Sequence, residues 1–374
     1  MSDTLRYLPF ESVWKMRIDH PYSLFVRDGN LLWSCGQCPL NETGEVLHPN
    51  DLFAQAAEVS AFIDQFLSKI DADRSHIAQL VVYHVKTGGT DALELRRLFR
   101  ERFGEKVIVL PVSIPHFYYD GMMIEVDVYG STLNKVVRTL TDNETGIELQ
   151  IVDSGEIVWA GILGPREVQL EAALNRLLTR ADLSLNALLS EQWFVTTDRL
   201  GEEVRLLTHT SGTDPRQIVG IRDDGFPMVA QLTFSRDMVT REQFAASSHL
   251  IEGVDIRLTR TEGYFDLTGT CEESIGLVQD TQRIMSAIEW TLKHSGLSFF
   301  DVRKATTHYV AGSSAEELHD NMSIRNRYYR KPGPASTGLP VFSFPMASSP
   351  ISIRLLGRRP GAIPNVPGDG GNRR

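Results

Sequence analysis

An α+β fold built from three tandem units of similar length is what this sequence predicts, each unit a mixed β-sheet with two helices on one face. Three observations carry that expectation. One order of strand, helix, loop-fed strand, helix and closing strand recurs along the chain. Residues 73–85 overlay residues 298–310 without a gap. And 374 residues at 42% hydrophobic content exceed what one compact core ordinarily holds.

The first unit, residues 1–130, is the most regular. A strand-like run from Leu31 to Cys35 ends at Gly36-Gln37. A helix is expected from Asp51 to Ile70, because Leu52, Ala56, Val59, Ile63, Phe66 and Ile70 recur at steps of three and four and share one face. Residues 73–85 then read as a loop feeding a β-rich strand, and Asp91 to Phe103 as a second amphipathic helix. Strands around Val107 to Ile114 and Met122 to Tyr129 close the unit.

The third unit, residues 239–357, repeats the order. A strand at Phe265–Thr268 ends at Gly269, helices are expected at Leu277–Lys293 and Ala315–Tyr329, and Ile351–Leu356 is the closing strand. The middle unit, residues 131–238, is more worn: a strand at Ile157–Ala160, a helix at Val168–Leu178, a strand entered at Gln192 and another at Val229–Phe234. Its second helix is poorly marked, since Thr208–Arg216 is rich in Ser, Gly, Asp and Pro. The tail 358–374, rich in Pro, Gly, Asn and Arg, is expected to be disordered.

Composition excludes several classes. A formal charge of -10 disfavours nucleic acid as a partner, because binding to a phosphate backbone rests on clustered Lys and Arg. With no run of eighteen apolar residues and a polar start, neither a membrane span nor a signal peptide is expected, which implies a cytoplasmic protein. Cys35, Cys38 and Cys271 are too few and odd in number for a disulfide framework, so reduced thiols are expected.

The motifs of the first unit point further. Pro21-Tyr22-Ser23, Ser34-Cys35-Gly36-Gln37-Cys38-Pro39-Leu40, Thr43-Gly44-Glu45 and Ile124-Glu125-Val126, with Gln55 early in the first helix, together resemble the RidA/YjgF family of enamine and imine deaminases. Asn326-Arg327-Tyr328-Tyr329 and Pro334-Ala335-Ser336-Thr337 carry the same resemblance in the third unit. The family consists of small cofactor-free homotrimers with a chorismate-mutase-like fold and active sites between subunits. The resemblance therefore implies a single chain forming a monomeric pseudo-trimer, with no cofactor and no metal, and with further self-association open.

It also implies site residues. A tyrosine and a glutamate line the family's cleft, and Tyr22 and Glu125 are the matching positions, catalytic by that analogy. On a strand, Glu125 would face a cavity while Ile124 and Val126 face the core, and a partly desolvated glutamate has the raised pKa that proton transfer near neutrality requires. A structural ion pair with a nearby Arg is the plain alternative. The family's carboxylate-binding arginine is missing: Ser336 stands at its place in the third unit, and Leu110 or Ser113 in the first. Arg327, Arg330 or another guanidinium would have to reach in instead.

His116, Tyr118 and Tyr119 lie in the unusual segment Pro115–Gly121, which suits either a pocket for a ring-bearing ligand or a turn with aromatic packing. Together with Gln37, Ser336 and Arg327 they form the expected substrate-binding set. The C-x-x-C of Cys35 and Cys38 has no second ligand pair at metal spacing. His84 and His308 fall one place apart in the overlay and are expected to pack rather than share a role.

The function expected is a Rid-type deaminase or hydrolase that adds water to a small imine, enamine or related unsaturated metabolite. A chorismatase-like hydrolase of a ring-bearing substrate is one alternative, weakened because the last strand reads Ile351-Ser352-Ile353-Arg354 and has no glutamate. A non-catalytic small-molecule-binding or scaffold protein is the other. An open cleft holding Glu125, Tyr22 and a cation would separate the enzyme from the scaffold.

Overall fold

The computed structural model describes residues 5–10, 19–164, 170–198, 200, 217–244, 253–310, 315–345 and 350–359. Its first elements are β1 (Arg6–Pro9), β2 (Ser23–Asp28), β3 (Leu31–Ser34), α1 (Leu52–Lys69), β4 (Ile77–Val85), α2 (Asp91–Phe103), β5 (Ile108–Ile114) and β6 (Ile124–Ser131). Then come β7 (Val136–Thr141), β8 (Glu148–Asp153), β9 (Ile157–Gly164), α3 (Leu170–Ala181), β10 (Leu188–Thr196), β11 (Ile218–Ile221) and β12 (Met228–Ser235). The rest are β13 (Thr240–Phe244), β14 (Val254–Arg260), β15 (Tyr264–Cys271), α4 (Leu277–His294), β16 (Val302–Tyr309), α5 (Ala315–Asn326), β17 (Ala335–Pro340) and β18 (Ile351–Arg358).

Local chemistry explains the well-formed helices. The Asp51 carboxylate accepts from the Ala54 amide at 3.0 Å and starts α1, whose apolar face is buried from Leu52 to Leu67. Helix α2 stops at Gly104, which takes φ +96°, a conformation only glycine adopts without strain.

The strands form a mixed α+β arrangement of two sheets. A six-stranded sheet, in the order β11-β10-β12-β9-β8-β7, belongs to the middle of the chain. The other sheet has 12 strands and joins the first and last parts of the chain, because β17 pairs in parallel with β2 at Ala335 and Ser23. Hydrogen bonds from the Ser23 amide to Pro334 O and from the Gly333 amide to Pro21 O, at 3.0 and 2.7 Å, close that seam.

Three strands share one pairing pattern. Strands β4, β10 and β16 each pair antiparallel with a later strand, and each shows an irregularity two residues wide near its start, at Ile77/Gln79, Leu188/Ser190 and Val302/Lys304. Counted from it, Tyr83, Phe194 and His308 occupy the same register position. Their rings meet, with centroids 6.3 Å apart for Tyr83–Phe194 and 6.0 Å for each to His308. Around them, apolar residues from all three parts of the chain, such as Val26, Leu110, Trp159 and Leu339, form a core where the sheets face each other. Separate cores lie under the helices.

Several expectations change. Strand β10 begins at Leu188 rather than Gln192, because a 3-10 turn capped by Ser184 leads straight into pairing with β12 and buries Ser190, Glu191 and Gln192 between sheets. That burial hides the apolar alternation. Helix α5 ends at Asn326, short of Tyr329. Strands β1, β2, β7, β8, β11, β13, β14 and β17 were not anticipated. The expected helix at 208–216 and most of the expected disordered tail, 360–374, lie outside the described residues. Among those described, no helix is long and apolar enough to cross a membrane.

Candidate active site

Strand alternation builds one cleft from two distant parts of the chain. On β6, Ile124, Val126 and Val128 enter the core under the helices, so Glu125, Asp127 and Tyr129 face the other way. On β17, Ala335 and Leu339 pack in the central core, and Ser336, Gly338 and Pro340 line the cleft. Between them lies a cavity of about 170 Å³, closed from above by α5 and by the aromatic segment after β5.

Glu125 sits at the bottom, 9% exposed. Its carboxylate lies directly over the Gly36 backbone: a Cβ there would be 1.6 Å from Oε1, so no other residue fits at 36 with Glu125 in place. Burial, followed by the nearby Asp127 carboxylate, pushes the Glu125 pKa up to about 8, with Lys304 and a hydrogen bond from Cys38 acting the other way. Glu125 is therefore mainly protonated at neutral pH.

Beneath it Lys304, 1% exposed, donates from Nζ to Ser34 O at 2.8 Å, Asp127 Oδ1 at 2.7 Å and Thr337 Oγ1 at 2.6 Å. This buried pair ties β16 to β6 and supplies the charges that set the potential at Glu125.

Among the described residues the guanidinium that lines the cleft is Arg325, on α5. It is 3% exposed; Nε donates to Asn321 Oδ1 at 2.7 Å and Nη1 to Thr307 Oγ1 at 3.0 Å, and Asn321 is braced by Thr281 at 2.9 Å. Among the described residues no carboxylate pairs with it. Its Nη2 borders the open side of Gly338, 3.5 Å from where a Cβ would lie. A guanidinium buried among neutral partners at a cavity wall is prepared for an anion that arrives with a ligand.

The expected residues divide. Glu125, Tyr22, Tyr118, Tyr119 and Ser336 line the same cavity. Tyr22 is buried, its pKa raised by that burial, and its ring packs on Tyr329 at 5.6 Å.

Three others do not. Gln37 is buried behind the wall, where Nε2 donates to Cys35 O at 3.0 Å, so it holds the loop rather than a ligand. His116 lies outside the lining and packs edge-on against Tyr118 at 5.3 Å. Arg327 is exposed and past the end of α5, so Arg325, one half-turn earlier, takes the place expected of it.

Register also revises the site of the missing arginine. Ser336 pairs with Ala305, and the matching partner of Leu80 is Val109, neither Leu110 nor Ser113. Cys35 and Cys38 are free thiols in the cavity wall. His84 pairs with Asp224, away from the cleft. A signal for Arg325 was present: Leu318, Met322 and Arg325 recur at steps of four and three, which puts the arginine on the apolar face of its helix.

Residues 15–110 match the family model Endoribonuclease L-PSP. The matched stretch supports the resemblance to RidA/YjgF proteins; it contains Tyr22, Gly36 and both cleft cysteines and stops short of Glu125. No curated protein matches the chain. Among solved structures, a chorismatase is similar with a TM-score of 0.46 at 11% identity, over 76% of this chain and 93% of that one. The Rid-family protein YyfA of Yersinia pestis has a TM-score of 0.30 at 17% identity, over 34% of this chain and 100% of that one. A putative endoribonuclease L-PSP of Entamoeba histolytica has a TM-score of 0.30 at 15% identity, covering 34% and 99%.

Proposed function

We propose that the cleft is the active site of a cofactor-free deaminase or hydrolase, which adds water across the C=N or C=C bond of a small unsaturated carboxylate. The observation that carries this reading is one cavity lined by the buried Glu125, whose pKa burial raises to about 8, and, from the other end of the chain, by Arg325, which pairs with no carboxylate among the described residues. A scaffold that had lost its chemistry would have no reason to keep two such groups desolvated around an empty space.

The chemistry follows from those positions. Arg325 holds the substrate carboxylate by its fork. The Glu125 carboxyl gives its proton to the imine nitrogen, or to the enamine carbon, which makes the adjacent carbon electrophilic. The resulting carboxylate takes a proton from the water that adds there, and collapse of the carbinolamine releases ammonia. Tyr22 and Ser336 bound the same space and orient the substrate. We also take the chain to work as a monomeric pseudo-trimer, a reading supported by the shared register of β4, β10 and β16 and by the meeting of Tyr83, Phe194 and His308. The wall of Phe117, Tyr118 and Tyr119 would also suit a ring-bearing substrate.

Hydrolysis of 2-iminobutyrate and 2-aminoacrylate, generated in situ with survivors trapped by semicarbazide, tests the reaction class in wild type, Glu125→Gln and Arg325→Gln. Acceleration that falls about 10²-fold or more in Glu125→Gln, together with a raised KM in Arg325→Gln, is the expected result. No acceleration over buffer by the wild type removes amino-acid imines and leaves the ring-bearing carboxylate.

A further inference from the structure

A second cavity, of about 210 Å³, has no part in the chemistry above. Tyr7, Phe299, Phe300, Tyr328, Pro332 and Pro334 give it flat aromatic and proline walls. Phe300 is 60% exposed, an unusual place for so large an apolar ring. Arg330 lies over that ring, its guanidinium 5.0 Å from the centroid, and no carboxylate among the described residues pairs with it. Tyr329 separates the two cavities: its ring contacts Phe299 at 5.1 Å on this side and Tyr22 of the cleft at 5.6 Å on the other.

We infer that this cavity is a second ligand site, which takes a small planar aromatic carboxylate. The slot between Phe300 and the Tyr328–Pro332 wall accepts a flat ring, and offset or edge-on contact with several aromatic faces rewards one. Arg330, held over Phe300, meets the carboxylate at the mouth, where a planar fork binds a carboxylate through two parallel hydrogen bonds. Among the described residues no carboxylic acid or thiol lines the cavity. The inference does not depend on the reaction assigned to the Glu125 cleft.

Titration of the protein with 4-hydroxybenzoate, followed by calorimetry and ligand-observed saturation-transfer NMR, tests it. So small a ligand is expected to saturate the wild type with a dissociation constant of roughly 1 mM. Arg330→Gln and Phe300→Ala, both at exposed positions that leave folding intact, should each weaken it about fivefold or more. Arg325→Gln should leave it unchanged, because that guanidinium belongs to the other cavity. Failure to saturate at about 10 mM probe overturns the inference. So does an affinity that survives both Arg330→Gln and Phe300→Ala, or one lost in Arg325→Gln, which would place the probe in the cleft.

Discussion

A single proton on Glu125 links stability to function at the scale of one residue. In the unfolded chain this carboxyl titrates near 4.5, and in the folded protein near 8. Between those values the folded state keeps a proton that the unfolded state has released, so this group's contribution to stability is full below about 4.5, falls as pH rises, and levels off above about 8. Glu125→Gln carries no such proton. Its melting temperature should therefore gain on that of the wild type as pH is raised from about 5 to about 8, with the difference constant above. Melting curves of the two proteins that stay parallel over that range would show Glu125 titrating as an ordinary glutamate.

Strand pairs set the scale at which the cleft is held. Lys304 on β16 and Asp127 on β6 are 1% and 0% exposed and meet at 2.7 Å between the two strands. Breaking one half of such a pair strands a buried charge. Lys304→Met is expected to cost about 3–5 kcal/mol in urea unfolding, and adding Asp127→Leu should recover most of it, since an apolar replacement of both partners is often neutral or stabilising. A double variant as unstable as the single one would mean that the lysine acts through packing of its stem. Register also sets Glu125 apart: its places on β12 and β18 are taken by Val229 and Ser352.

Across the whole molecule, the three parts of the chain depend on one another. Tyr83, Phe194 and His308 are each buried and touch at the centre, and the 12-stranded sheet unites segments more than 300 residues apart. Truncating Tyr83 to Ala opens a void that neighbouring units cannot fill, at a cost of about 3–5 kcal/mol. Because Trp33 and Trp159 belong to the same central core, tryptophan fluorescence and far-UV circular dichroism should still report one coincident transition, moved to lower denaturant. Two separated transitions would show that the units unfold independently.

The sequence by itself determined the local pieces. Helices α1, α2 and α4 fall within a residue of where periodicity put them, because an apolar stripe at steps of three and four is written in adjacent residues, with an Asp cap on α1 and a Gly stop on α2. The gap-free overlay of 73–85 on 298–310 aligned β4 with β16, which share a register irregularity, and alternation around Glu125 gave the side of the strand it occupies.

Tertiary structure decided which groups meet. It brought Arg325 rather than Arg327 to the cavity that Glu125 lines, set Gln37 and His116 aside, buried the polar start of β10, and joined β17 to β2. Each of these depends on contacts between residues far apart in the chain, where burial and register are set by the partner surface, and a pattern confined to neighbouring residues carries no record of that surface.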